Sequence, residues 1–197
     1  MFDSADASYE VRYGWTLKAA VLASGSLVFC TGPLILSGHT WARVDGLPVP
    51  IWLIDVLSVL LGVTGLLLTL TGPLTRRRAL RVDATGIVLG GNPLRYAATT
   101  LTVPWSEITA VELWVQRMRV NGRTIRTPYI GIHRTETATP RPGLSARAGT
   151  GVTGKSAALI AASRPVNLWH LDQPSLRKAL AAHAPGVRLH VEADFGA

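Results

Sequence analysis

IWLIDVLSVLLGVTGLLLTLTGPLTRRR, residues 51–78, decides how this chain is built. From Ile51 to Leu74 a single ionisable residue, Asp55, interrupts the apolar run, and arginines follow at once. A helix of roughly 20 apolar residues is long enough to cross the hydrocarbon core of a bilayer. A second apolar stretch, Trp15–Leu36, precedes it, and its longest charge-free part begins after Lys18. Between them Gly38, Gly46, Pro48 and Pro50 favour a turn. The pattern predicts two transmembrane helices, 15–37 and 51–74, joined by a short loop over 38–50 and preceded by a tail over 1–14.

Cations counted close to span ends set orientation. Arg12 and Lys18 lie before the first span, and Arg76, Arg77, Arg78 and Arg81 follow the second, whereas the loop carries only Arg43. This asymmetry predicts a multi-pass protein of the cell (inner) membrane with both termini cytoplasmic and the loop outside. Trp15, Trp41 and Trp52 fall near the expected interfaces, where indole rings are favoured. Ala20 and Ser24 in the first span, and Gly62, Gly65 and Thr69 in the second, are small residues spaced for close helix–helix approach. TGPL occurs near the end of each span (31–34 and 71–74), where proline reads as a terminator. Asp55 is the one acid within a span and would be the centre of a small oligomeric transporter component. It lies only four residues from Ile51, about 6 Å of helix rise, which is within reach of interfacial water.

The chain has 197 residues and a net charge of +8, and beyond Leu74 it carries 17 Lys+Arg against 7 Asp+Glu. Basic excess beside a span suits an anionic leaflet, so Arg76, Arg77, Arg78 and Arg81 are candidate headgroup contacts. Only three of the twenty cations are lysines, a skew that follows the Ala/Gly/Thr-rich composition and dilutes the inference. Cys30 is the only cysteine, so no disulfide within one chain and no cysteine-based metal site can form. LVFC ending at Cys30 has the outline of a lipobox, but Phe29 stands where a small residue is needed, and Cys30 reads as a lipid- or helix-facing residue.

From residue 75 to 190 the pattern becomes one of strands and turns. Segments 80–83 and 87–89 flank a turn-like break, Tyr96–Val103 suits a strand, and Pro104–Ile108 forms a bend with Trp105 and Ile108 as core anchors. Asn121–Gly122 is a strong hairpin signal, because both central residues of a type I′ turn need positive φ. Taking that turn fixes the register. Val111, Leu113 and Val115 face Ile132, Ile130 and Pro128, Arg117 faces Arg126, and Trp114 faces Tyr129 on the other side. Like charges directly opposite each other destabilise a ladder. The cationic tip, Arg117, Arg119, Arg123 and Arg126, is therefore the candidate for lipid headgroups or an acidic partner. Residues 134–154 lack apolar periodicity and read as a flexible loop. Segments 156–163 and 166–171 read as strands. Gln173–His183 reads as a helix, with Asp172 at the N-cap, Pro174 in the first turn and Pro185–Gly186 beyond the end. Val187–Val191 follows as an extended piece, and 191–197 as a tail.

ALRVDATGIVLGG (79–91), VPWSEITAVEL (103–113) and QPSLRKALAAHAPGV (173–187), following a two-span hairpin, resemble bacterial membrane-anchored PH-like domain proteins. The resemblance covers about 79–187. It implies a curved antiparallel sheet closed by a C-terminal helix and used as a binding scaffold, so the chain is expected to be a mainly-β α+β PH-like interaction module, non-catalytic, that binds a protein or peptide partner or anionic lipid headgroups. It carries over no catalytic residue and no cofactor.

One motif points elsewhere. GTGVTGKS, Gly149–Ser156, matches the phosphate-loop pattern, in which Lys155 would pair with phosphate and Ser156 would reach Mg²⁺. An NTP-binding enzyme would need a buried strand before the motif and a long helix after it. TPRPGLSARA precedes it, and AALIAAS reaches Pro165 quickly. The five histidines show no ligand spacing for a metal, and no nucleic-acid reader motif occurs. Homo-oligomerisation is open.

Overall fold

The computed structural model describes residues 8–36, 41–44, 47–135, 149–151 and 153–196. They divide into two compact units, Gly14–Arg76 and the pair Met1–Tyr13 with Arg77–Ala197.

The first unit holds two helices, α1 (Leu17–Leu36) and α2 (Ile51–Thr75), with a small hairpin of β2 (Trp41–Val44) and β3 (Leu47–Pro50) between them. The expected turn is therefore a two-stranded ribbon. Among the described residues α2 is the one helix long and apolar enough to cross a membrane, and the apolar helix Leu17–Pro33 is shorter. Gly62 and Gly65 let α1 and α2 approach closely. A Cβ on Gly62 would stand 2.5 Å from Cys30 Sγ, and one on Gly65 would strike Ser26 Oγ. Ser26 and Cys30 thus meet the glycines, where Ala20 and Ser24 were expected from spacing alone. Thr69 shares this buried stripe of α2 with Ile51, Gly62 and Gly72. The outer surfaces of both helices are apolar and exposed, including Val21, Leu27 and Val28 on α1 and Leu57, Leu60, Leu61 and Leu67 on α2. Neither TGPL ends its helix at the proline. α1 runs on to Leu36, and α2 runs to Thr75 before Arg76 turns into the left-handed region (φ 46°) as its cap.

The second unit is an α+β domain of two four-stranded sheets. Sheet one orders β1 (Tyr9–Arg12), β4 (Arg78–Asp83), β5 (Gly86–Leu89) and β6 (Leu101–Pro104), all antiparallel. Alternation buries Leu80 and Val82 of β4, Ile87 and Leu89 of β5 and Val103 of β6, with Val82, Ile87 and Val103 in one cross-strand row. The turn between β4 and β5 is held by Asp83, whose carboxylate accepts from Thr85 N (2.8 Å) and Thr85 Oγ1 (2.6 Å). β1 corrects the expectation of an N-terminal tail. Val11 pairs with Leu80, and Tyr13 just beyond is buried, its hydroxyl donating to the carbonyls of Gly90 (3.2 Å) and Gly91 (2.9 Å). Burial pushes the Tyr13 phenol up to about 12.

Sheet two orders β10 (Arg188–Val191), β7 (Ile108–Val120), β8 (Arg123–Arg134) and β9 (Ser163–Pro165). β7 and β8 form the expected hairpin in the expected register: Val111 opposite Ile132, Leu113 opposite Ile130, Val115 opposite Pro128 and Arg117 opposite Arg126. Asn121 (φ 49°) and Gly122 (φ 74°) make its turn. β10 pairs parallel to β7, so the segment expected as a loose extension is a strand of the sheet. The core lies between the sheets and is closed by a helix, α5 (Gln173–His183), through Leu176, Ala179 and Leu180. Asp172 occupies the expected N-cap position without capping through its side chain, and its backbone N–H donates to Tyr9 Oη (2.8 Å). Ile108 is buried, and Trp105 packs partly buried on the core with Nε1 donating to Asp83 O (2.8 Å).

Three strand expectations fail locally. Tyr96–Thr99 is a helical turn, α3, because Asn92 caps the preceding 3₁₀ turn and the Thr99 and Thr100 hydroxyls donate back to the carbonyls of Arg95 and Tyr96. Ala157–Ala161 is a short helix, α4, started by Ser156, whose Oγ accepts from Leu159 N. Only Ser163–Pro165 of that region joins the sheet. Val166–Leu171 is irregular, with Trp169 and Leu171 turned into the core. Most of the expected flexible loop, 134–154, lies outside the described residues.

Candidate functional site

Two clusters lie on the β7–β8 hairpin, one on each side. Strand alternation puts Glu112, Trp114, Met118 and Val120 of β7 on one side, facing Gly131, Tyr129, Ile125 and Arg123 of β8. Arg117 and Arg119 lie on the other, facing Arg126 and Thr124.

The first cluster is near the base of the hairpin. Trp114 is 2 % exposed and stacks on Tyr129 with ring centroids 4.5 Å apart. α4 lies over Gly131, where a Cβ would meet Ser163 Oγ and come within 2.8 Å of Leu159 Cδ1. Just before α4, Lys155 Nζ reaches Glu112 Oε1 (2.5 Å) and Glu192 Oε1 (2.9 Å) and stands 5.9 Å from the Trp114 ring centre. His133 Nε2 contacts Glu112 Oε2 at 2.7 Å, and Glu192 also accepts from Val115 N. Burial alone would raise the Glu112 carboxyl, but hydrogen bonds from Lys155 and His133 outweigh it and hold the group below its usual range. Glu192 is likewise lowered by Lys155 and the Val115 amide against its desolvation. Burial would lower the Lys155 ammonium, and the two carboxylates raise it instead.

Lys155 and Ser156 are the two chemical residues of the GTGVTGKS motif, and both are occupied within the fold. Its amides are used as well. Gly154 N donates to Thr150 O, and Lys155 N donates to Thr153 Oγ1 (3.2 Å). The helix that follows has five residues, far from the long helix whose open N-terminus cradles phosphate.

The second cluster is at the tip. Arg117 and Arg126, opposed in the ladder, share one counter-ion: Asp194 Oδ2 accepts from Arg117 Nη2 and from Arg126 Nη2 (3.1 Å). These contacts hold the Asp194 carboxyl below its usual range, with the Arg117 hydrogen bond the largest cause. The anion anticipated from the like-charge pair is thus the chain's own, from a segment expected to be a free tail. Among the described residues Arg119 and Arg123 make no ion pair. On the opposite side Met118, Val120 and Ile125 are 47 %, 41 % and 48 % exposed. The apolar component of the tip was missed in the sequence reading, although the register it used already placed these three residues on one side.

The arginines after α2 are only partly free. Arg77 donates to Pro93 O (3.2 Å) and lies 5.1 Å over the Tyr96 ring, Arg78 pairs with Glu10 (3.0 Å), and Arg81 pairs with Asp83 (2.7 Å). Arg76 is exposed at the α2 cap. Asp55 leaves one buried carboxylate oxygen without a hydrogen-bond partner among the described residues. A shallow groove of about 270 Å³ between α5 and β10 is lined by Leu180, Val187 and Leu189, with Arg177 its one ionisable residue. No group of three or more metal-ligating side chains occurs among the described residues. Comparison of the chain with protein-family models, with curated proteins and with solved structures finds no match to any of them.

Proposed function

We propose that this chain is a membrane-anchored, non-catalytic interaction module of the bacterial inner membrane. In this reading α1 and α2 span the bilayer as an antiparallel hairpin. A cytoplasmic PH-like domain then binds a protein or peptide partner, or anionic lipid headgroups.

The observation that carries the reading is the pairing of β1 with β4. These strands flank the helical unit in sequence, so the two ends of that unit leave on the same side of any membrane it enters. If α2 crosses, the chain must cross an even number of times, and α1 is the available second crossing. The apolar outer surfaces support this, since large exposed aliphatic surfaces are stable in lipid and not in water. So do the small residues at the α1–α2 contact, which suit helix association in lipid. The cation asymmetry around the spans favours cytoplasmic termini.

Two sheets over a common core, closed by α5, support the PH-like reading of the domain. β1, drawn from before the helices, and β10, added after α5, are departures from the simplest version of that scaffold. Among the described residues the group of ionisable side chains around Lys155 is internally paired, which favours a binding role over a reaction centre.

Alkaline carbonate extraction combined with reporter fusions tests the anchor. The chain should stay in the membrane pellet. Alkaline phosphatase should be inactive when fused after Ala197 and active when fused after Val44. A chain released at alkaline pH, or active phosphatase at Ala197, would refute the arrangement.

A further inference from the structure

The β7–β8 hairpin runs on beyond the covered part of its sheet. Every residue from Arg117 to Arg126 is exposed, four on each strand plus the turn. At about 3.4 Å per residue the exposed arms are roughly 14 Å long.

The arms are two-faced. On one face the charge of Arg117 and Arg126 is met by Asp194. On the other, Met118, Val120 and Ile125 form an adjacent apolar trio, with Met118 directly opposite Ile125. Of the two tip cations left without an ion pair among the described residues, Arg123 shares the trio's face, directly opposite Val120, and Arg119 stands on the reverse face opposite Thr124, both within three residues of the turn. Gly122 adds no bulk at the end, and a side chain there would meet only open space. The result is a narrow arm with three apolar side chains and Arg123 on one face and Arg119 on the reverse face.

From this we infer that the tip docks into the headgroup layer of an anionic bilayer. Met118, Val120 and Ile125 enter the boundary between headgroups and acyl chains, while Arg123 on the same face, and Arg119 reaching from the reverse face of the narrow tip, hold lipid phosphates. The inference rests on the membrane-anchored reading and narrows its binding surface. Of the four tip arginines, two are assigned to the ligand and two to Asp194.

Charge complementarity selects the occupant. Apolar side chains beside unpaired cations match the depth profile of an anionic leaflet, where hydrocarbon lies a few ångströms below phosphate. The tip is an exposed two-stranded arm from Arg117 to Arg126. Only two residues, Arg76 and Arg77, separate α2 from β4, so a chain anchored through α2 keeps such a surface within reach.

The test uses the full chain in nanodiscs, with Cys30→Ser so that a single bimane label can be placed at Val120→Cys or Ile125→Cys. Thr124→Cys supplies a label on the opposite face. Emission from positions 120 and 125 should shift to shorter wavelength in phosphatidylglycerol-containing discs relative to pure phosphatidylcholine, and position 124 should shift less. The shift should disappear with Arg119→Gln/Arg123→Gln and in about 0.5 M NaCl, where screening leaves only a few ångströms of reach. Near-ultraviolet circular dichroism checks that each variant is folded. Emission independent of lipid charge, or a shift equal on both faces, would overturn the inference. A shift that appears only on adding a purified soluble partner would overturn it in favour of protein docking. Failure of the anchor has its own readout, release of the unlabelled chain by alkaline carbonate.

Discussion

Asp194 makes a like-charge pair tolerable. Arg117 and Arg126 stand directly opposite in the ladder, and one carboxylate from beyond β10 bridges them. Replacing Asp194 with Ala should lower the melting temperature, and added salt should recover much of the loss by screening the exposed arginines. Thermal unfolding of the full chain in detergent at low and high salt checks this. A loss insensitive to salt would mean that Asp194 acts by packing. The Lys155 cluster carries a pH signature. Glu112 and Glu192 are held below their ordinary range, so their contribution is present above it and falls away as pH drops through the lowered values. Lys155 is raised, so its contribution is complete below the ordinary lysine range and is lost as pH climbs through the raised value. The network should therefore stabilise the domain from about pH 5 to pH 10, the interval between ordinary carboxyl and lysine values. Lys155→Met should remove that plateau and flatten the acid limb of a stability–pH profile measured by chemical unfolding. Neither Asp194 nor Glu192 was legible as a partner, because each contacts side chains 37 to 77 positions away, and charge pairs at that range leave no local pattern.

Elements were readable where local chemistry is decisive. Asn121–Gly122 dictates a turn, and a two-residue turn dictates register, so the long hairpin followed from sequence. α5 followed from Pro174 in its first turn, the leucine spacing and Pro185–Gly186 beyond its end. α4 did not, because a short apolar run such as AALIA fits a strand or a buried helix equally well. Its position over Gly131 decided the matter, since only glycine admits Leu159 and Ser163 at that distance. Gly131→Val should destabilise the domain by about 1–3 kcal/mol through overpacking, measured by denaturant unfolding. In the helical unit, spacing identified Gly62 and Gly65 but chose the wrong partners on α1, because rotation about a helix axis is set by packing across the pair. Gly62→Cys should cross-link to Cys30 within one chain under mild oxidation, visible as protection of both thiols from maleimide mass tagging. Gly25→Cys, at a position facing open space, should not.

At the scale of the molecule, the folded domain is one core assembled from two stretches of chain that flank the helices. By sequence pattern the chain divides in series, tail then spans then domain, and the shared core is not visible in it. YEVR at Tyr9–Arg12 is too short to announce a strand, and its partner lies 66 or more positions later. Tyr13 completes the closure through its hydrogen bonds to Gly90 and Gly91. Tyr13→Phe should cost about 1 kcal/mol, the net worth of a buried hydrogen bond, and removing residues 1–13 should expose the domain to protease far more severely. Limited proteolysis of the two variants in membranes checks the ranking.

That arrangement has a consequence for synthesis. β1 leaves the ribosome early, but its partner β4 emerges only after both apolar helices have been made. At roughly 5–20 residues per second the strand waits several seconds unpaired. The domain cannot complete sheet one before the helical unit has passed out of the ribosome, and β10 comes later still. If the helices insert in a membrane as proposed, insertion must leave β1 and β4 in the same compartment, or the core stays one strand short. In the proposed membrane arrangement, a chain threaded the wrong way would lack the strand that pairs with β4 and would leave the place of Tyr13 unfilled.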